Sequence, residues 1–202
     1  MLLLLTLHIF YFFSFLWLGF GVQRIFTPGR SAPAPAVLVI NGLIIFTSAA
    51  QILNLFFPVN WKTAAGILFC GSFALLFTKE PVRLFSRYIS IHLKKIPVAA
   101  FLLLFFLWLL ILLYAAGPTQ MDDTESYHIQ MVKWIQEFGS VPGIANLHNR
   151  YGFNSSWFSS IALFGFSSSS LNLYTSLNSF LSLLFCFYLV SRLFSQSTGK
   201  RQ

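Results

Sequence analysis

Five long apolar stretches constrain the fold of this chain more than any other feature. They lie at residues 2–20, 37–57, 60–78, 96–116 and 169–191. Because a helix needs about 20 mostly apolar residues to cross a bilayer, each stretch reaches or approaches the length of a membrane span. Hydrophobic residues make up 56% of the sequence and charged residues only 9%, whereas soluble domains carry about a quarter of charged residues. We therefore predict an all-α fold: a multi-pass transmembrane helical bundle of about five spans.

Basic residues are concentrated in three segments outside the apolar stretches, and these segments predict the orientation of the chain. The first segment has Arg24 and Arg30, the second has Lys79, Arg83, Arg87, Lys94 and Lys95, and the third has Arg192, Lys200 and Arg201. Positively charged loops remain in the cytoplasm. The C-terminus is therefore predicted to be cytoplasmic, and the N-terminus and the 117–168 loop to lie outside. The net charge of +8 is explained by this topology, so no nucleic-acid partner is predicted.

These boundaries divide the chain into three predicted parts. Residues 1–116 form four transmembrane helices, residues 117–168 form an external acidic loop with two interfacial helices, and residues 169–202 form a fifth transmembrane helix with a basic cytoplasmic tail. Cys70 and Cys186 lie within apolar stretches and indicate neither a disulfide framework nor a metal motif.

The 117–168 loop holds four of the five carboxylates of the chain, and its first half has a helical pattern. The apolar residues that recur at the spacing of one helix face are Tyr127, Met131, Trp134, Ile135 and Phe138. Gly139 is expected to end this helix. With aromatic side chains on its apolar face, the helix suits a membrane interface. The apolar segment 157–166 is too short to span a bilayer, so it either lies in the interface or packs against the bundle.

Asp122 and Asp123 follow closely after the fourth apolar stretch, and two interpretations of them remain open. One aspartate can cap the following helix, with Glu125 adding favourable charge at the helix N-terminus. Alternatively, adjacent carboxylates at the membrane surface can accept a proton from an incoming hydroxyl or hold a divalent metal ion.

For three further polar residues of the loop, both a functional and a structural role are open. His128 and His148 can serve as ligands or hydrogen-bond donors, and Arg150 can clamp a phosphate through two hydrogen bonds. Each can equally be structural: a histidine packed within the fold, or an arginine facing lipid headgroups. A transporter is disfavoured because the apolar stretches contain almost no ionisable residue besides His8 and Lys62.

Between residues 121 and 158 the loop carries an ordered set of short motifs. They are Asp122 or Asp123, Tyr127-His128, Trp134-Ile135, Val141-Pro142-Gly143, Asn146-Leu147-His148 and Arg150. In this order they resemble the first external loop of the GT-C membrane glycosyltransferases. The set is more closely similar to a bacterial family of uncharacterised multi-span proteins of that general type.

The resemblance implies transfer of a sugar from a polyprenyl-phosphate donor to an acceptor, on the outer face of a bacterial inner membrane. Asp122 and Asp123 would be the catalytic residues, one acting as general base toward the acceptor hydroxyl, or both holding a divalent metal beside the donor phosphate. The residues that would contact the substrate are Tyr127, His128, His148 and Arg150. The partners implied are membrane lipid and the polyprenyl-phosphate-linked sugar.

GT-C enzymes are generally longer than this chain and have more spans. The resemblance therefore implies that the sequence is the N-terminal portion of a larger enzyme, or that a second polypeptide supplies the missing spans. The alternative hypothesis is a non-enzymatic membrane scaffold or anchor of the cell envelope, whose acidic loop docks a partner.

Overall fold

The computed structural model describes residues 1–27, 31–76, 81–93, 96–118, 123–152, 155–165 and 173–199, and these residues contain helices and no strand. The helices are α1 (Leu2–Phe26), α2 (Pro35–Asn54), α3 (Trp61–Leu76), α4 (Pro81–Leu93), α5 (Val98–Ala115), α6 (Ile129–Phe138), α7 (Ser156–Phe164) and α8 (Ser176–Gly199). A single π-helical turn, Thr124–His128, leads into α6, and two short 3₁₀ turns follow it. The predicted all-α class is confirmed.

Four helices are long and apolar enough to cross a membrane: α1, α2, α5 and the Ser176–Phe194 part of α8. Within the described residues, the prediction of about five spans is therefore met by four helices. The remaining apolar helix, α3, has 16 residues, which is a length of about 24 Å, less than the hydrocarbon thickness of about 30 Å. It starts at Trp61, and the side chain of Asn60 before it accepts a hydrogen bond from the Lys62 backbone N–H at 3.0 Å.

Helices α1 and α2 form the centre of the bundle because two glycines let their backbones touch. A Cβ atom added at Gly19 would collide with the carbonyl oxygen of Leu38, and one added at Gly42 would collide with that of Phe15. Small residues allow this close approach between apolar helices. The large core rings Phe15 and Phe46 then pack edge to face, with 5.2 Å between their centroids.

The short helix α7 enters the bundle rather than lying on its surface. Its hydroxyls bond to α2: Ser160 Oγ donates to Thr47 Oγ1 at 2.9 Å, and Ser159 Oγ donates to Gln51 Oε1 at 3.2 Å. At its far end the Phe164 ring lies 4.8 Å from the ring of Tyr11, about 14 Å along α1 from its start. Of the two predicted placements for this segment, packing against the bundle is the one observed.

The π-helical turn and α6 close the same end of the bundle. The α2–α3 turn bonds to α6, since Val59 N–H donates to the Ile135 carbonyl at 3.0 Å and Ser140 N–H donates to the Asn54 carbonyl at 2.9 Å. Gly139 ends the helix with φ of +74°, as predicted. The segments 55–60 and 123–165 therefore share one end of the bundle, which we call the loop end.

The predicted apolar face of α6 is partly wrong. Ile135 is buried as expected, but Phe138 is exposed and Gln136 is buried. The reason is that the Gln136 side-chain amide donates to the carbonyls of Ala162 and Gly165 at the end of α7, which draws a polar residue into the packed face. Trp134 and Phe138 pack against each other on the outer side, with centroids 5.0 Å apart.

The opposite end of the bundle, which we call the basic end, contains α4. The sequence predicted only a basic loop here, whereas residues 81–93 form a helix against the end of α1. The Phe85 ring lies 4.9 Å from that of Trp17, and the Tyr88 hydroxyl donates to the Pro33 carbonyl at 2.5 Å. Burial raises the pKa of Tyr88, so its hydroxyl stays neutral. These contacts place α4, with Arg83 and Arg87, at the same end of the bundle as the last turn of α1 with Arg24.

Alanine substitution at Gly42 tests the α1–α2 contact. We expect Gly42→Ala to lower the free energy of unfolding by about 1–3 kcal/mol, because the added methyl group overpacks the crossing. Gly66→Ala is the matched control, since a Cβ at Gly66 meets nothing within 4 Å. It should leave stability unchanged or raise it by up to about 1 kcal/mol through helix propensity. Thermal unfolding of the protein in detergent measures both, and equal effects would contradict this packing.

Candidate functional site

A cavity of about 760 Å³ opens at the loop end, between α5, the π-helical turn, α7 and α8. This volume is within the range of small-molecule sites, about 300–1,000 Å³. One wall is apolar and belongs to α5, where it includes Leu110 and Ile111. Helix α5 is itself largely exposed, so the cavity borders an open apolar surface.

The opposite wall is a polar stripe on α8. It consists of Thr175, Asn178, Ser179 and Ser182, whose spacing places them on one helix face. Trp157 of α7 closes the side of the cavity, and its indole Nε1 donates to Asn178 Oδ1 at 2.7 Å. The cavity therefore has an apolar side and a hydrogen-bonding side that face each other.

Below the stripe, His8 joins three helices through hydrogen bonds. The indole Nε1 of Trp108 on α5 donates to His8 Nδ1 at 3.0 Å, and His8 Nε2 lies 2.8 Å from Ser179 Oγ on α8. Because Nδ1 accepts from an indole N–H, the ring must carry its proton on Nε2 and donate it to Ser179. Ser179 Oγ in turn donates to the Ser176 carbonyl at 2.9 Å.

This protonation pattern decides what His8 can do. A histidine that donates to a serine hydroxyl cannot also remove that hydroxyl's proton, so the pair is not arranged as a serine nucleophile with its base. The His8 ring is buried, and the nearby Tyr11 hydroxyl forms a hydrogen bond of 2.8 Å with Ser176 Oγ. The network therefore fixes α1, α5 and α8 relative to one another at the floor of the cavity.

Asp123, Tyr127 and Arg150 form a charged cluster beside the cavity. Arg150 Nη1 lies 2.5 Å from Asp123 Oδ1, and the Tyr127 hydroxyl donates to Asp123 Oδ2 at 3.3 Å. The Arg150 guanidinium also stacks over the Tyr127 ring, 5.0 Å from its centroid. The side chains of Arg150 and Asp123 are 50% and 51% exposed, so the ion pair is accessible from solution.

Other predicted site residues are placed as follows. His128 lines the cavity, with its ring 4.2 Å from that of Tyr127 and 5.4 Å from that of Phe158. His148 is exposed and does not line the cavity; its Nδ1 accepts from the backbone N–H of Arg150 at 3.3 Å. Asp122 lies outside the described residues, so its role stays a prediction.

The structure bears on the capping interpretation of Asp123. Its side chain makes no capping hydrogen bond to the following helix and pairs with Arg150 instead. Where the chain is described, no three histidine, cysteine or acidic side chains gather as metal ligands would. The predicted divalent metal at Asp122 and Asp123 stays a prediction, and Arg150 occupies one oxygen that it would need.

Sequence reasoning missed the α8 stripe, the role of Trp108 and the burial of Tyr174. Burial, with a further contribution from the charge of Glu137, raises the pKa of Tyr174, which lines the cavity. The one available signal was His8, since an ionisable residue inside an apolar stretch usually has a defined partner. Its partners lie 100 and 171 residues away in the sequence, so the sequence pattern does not reveal them.

The chain belongs to the DUF8201 family, described as a domain of unknown function, whose model matches residues 1–202. No curated protein and no solved structure matches the chain.

Replacing Trp108 by Phe tests the network below the cavity. The substitution removes the indole donor and leaves His8 Nδ1 buried without a partner, so we expect a loss of about 1–3 kcal/mol in unfolding free energy. Trp61→Phe is the control because Trp61 is half exposed, and it should have almost no effect. The hypothesis fails if both variants unfold at the temperature of the parent protein.

A double-mutant cycle with Asp123→Asn and Arg150→Gln measures the strength of the ion pair. Because both side chains are half exposed, we expect a coupling of about 0.2–1 kcal/mol. The coupling should decrease further as salt is added. A coupling of several kcal/mol that salt does not change would show that the pair is buried in solution.

Proposed function

We propose that this chain is a multi-pass membrane protein and forms the lipid-linked substrate site of a GT-C-type glycosyltransferase. The four long apolar helices support the membrane assignment. In the proposed orientation the loop end faces outward and the basic end faces the cytoplasm of a bacterial cell, because Arg24, Arg83 and Arg87 lie at the basic end.

One observation carries the proposal: a cavity with one apolar wall and one polar wall lies directly beside an accessible carboxylate–arginine pair. A polyprenyl-phosphate sugar combines the same three properties. Its isoprenoid chain would lie along exposed α5, its sugar hydroxyls would contact the α8 stripe, and its phosphate would reach the cluster at Asp123 and Arg150. His128, which lies between the cavity and Tyr127, would donate to the phosphate or the sugar.

The proposed sugar transfer begins when the donor phosphate replaces Asp123 as the partner of Arg150. The donor phosphate would displace the carboxylate from Arg150, which suits two-point recognition of phosphate oxygens. Asp123 would then have a free oxygen and could act as general base. The acceptor hydroxyl oxygen attacks the anomeric carbon, and Asp123 takes the hydroxyl proton. The bond from that carbon to the phosphate oxygen breaks, and its electron pair leaves with the polyprenyl phosphate.

A complementation experiment tests this function without knowing the sugar. The gene is deleted in its host, and cell-envelope glycans are compared by mass spectrometry before and after restoring the gene. We expect one glycan to disappear on deletion and to return with the parent gene. The Asp122→Asn/Asp123→Asn variant should not restore it, since neither proposed carboxylate base remains.

The control is Glu137→Gln, which removes an exposed carboxylate of α6 outside the cavity lining. This variant should restore the glycan fully, and immunoblots of isolated membranes should show equal amounts of every variant. If deletion changes no glycan, or if the double aspartate variant restores it, the enzyme proposal is wrong. The second outcome would favour a scaffold whose acidic loop is not catalytic.

A further inference from the structure

Arg24 is a half-buried cation at the basic end of the bundle. It belongs to the last turn of α1, and its guanidinium stacks over the Phe20 ring, 5.2 Å from the centroid. Its Nε atom is buried and has no hydrogen-bond partner within the described part of the chain. Because the Arg24 residue as a whole is only half-buried, its positive charge favours an anionic ligand at this position.

Helix α4 is held next to Arg24 by the same aromatic ring. Phe20 packs against Phe85 at 5.4 Å and against Tyr88 at 5.6 Å, centroid to centroid. Together with the Tyr88 hydrogen bond to the Pro33 carbonyl, these contacts fix α4 beside the end of α1. The arginines of α4 are therefore held at the same end of the bundle as Arg24.

The exposed surface of α4 combines positive charge with apolar side chains. Arg83 and Arg87 are four residues apart and exposed, and Val82 and Ile91 are exposed as well. At the end of α1, Ile25 and Phe26 are also exposed, Phe26 to 76%. A helix with a charged face and apolar flanks lies in the headgroup region of a membrane.

We propose that Arg24 and Arg87 bind the phosphate of an anionic phospholipid in the leaflet at the basic end. The surrounding surface argues for a lipid rather than free phosphate, because Phe26 and Val82 would contact its acyl chains while the guanidiniums contact its headgroup. This site lies at the opposite end from the cavity, so it is independent of the proposed enzymatic function.

Native mass spectrometry of the full-length protein tests the site, with phosphatidylglycerol and phosphatidylcholine as probes. We expect phosphatidylglycerol to be retained at least tenfold more tightly than phosphatidylcholine. Arg24→Gln should reduce that preference about tenfold. Arg87→Gln should reduce it too, and because its side chain is on the exposed face of α4 the fold should be unaffected. Lys133→Gln, at the loop end, is the matched charge control and should change nothing.

Two results would overturn the proposal. One is equal retention of the two lipids by the parent protein; the other is unchanged phosphatidylglycerol retention in both arginine variants. A third arm adds inorganic phosphate at millimolar concentration, which should not displace the lipid. Displacement would show a site for soluble phosphate and would also refute the lipid assignment.

Discussion

Backbone contact between α1 and α2 at Gly19 and Gly42 is the constraint on which the other helices depend. Because the two backbones touch, Phe15 and Phe46 meet, and together they form the surface that receives Phe164 of α7. The position of α7 in turn sets α6, through the Gln136 hydrogen bonds to its last carbonyls. The loop that carries the candidate site is thus anchored in the bundle core rather than resting on the surface.

The hydrogen bonds of His8 attach two further helices, α5 and α8, to α1. They tie the exposed helix α5, through Trp108, to α1 and α8, although α5 buries little of its own surface. Since apolar helices in lipid gain little from hydrophobic association, polar contacts of this kind carry much of their specificity. One imidazole ring therefore links α5 and α8, the two helices that form the walls of the cavity.

The sequence was sufficient for what depends on local pattern, and insufficient for what depends on distant contacts. Apolar length predicted the all-α class and about five spans, of which four long helices are found among the described residues, and Gly139 predicted the end of α6. The sequence did not show that residues 81–93 pack against α1 through Phe85 and Tyr88. It also could not show that Arg150 meets Asp123 across 27 residues. For the same reason it could not show that Asp123 pairs with an arginine rather than capping the following helix.

The two ends of the bundle differ in how their arginines are paired, and this difference affects what each end can bind. At the loop end, Asp123 and Arg150 are paired but half exposed, and such a pair contributes at most about 1 kcal/mol. A phosphate can therefore replace the carboxylate at little cost, which suits a substrate that binds and leaves. At the basic end, the buried Arg24 Nε has no hydrogen-bond partner among the described residues, which is a desolvation cost of about 1–3 kcal/mol. The proposed lipid headgroup would place a negative charge beside this cation.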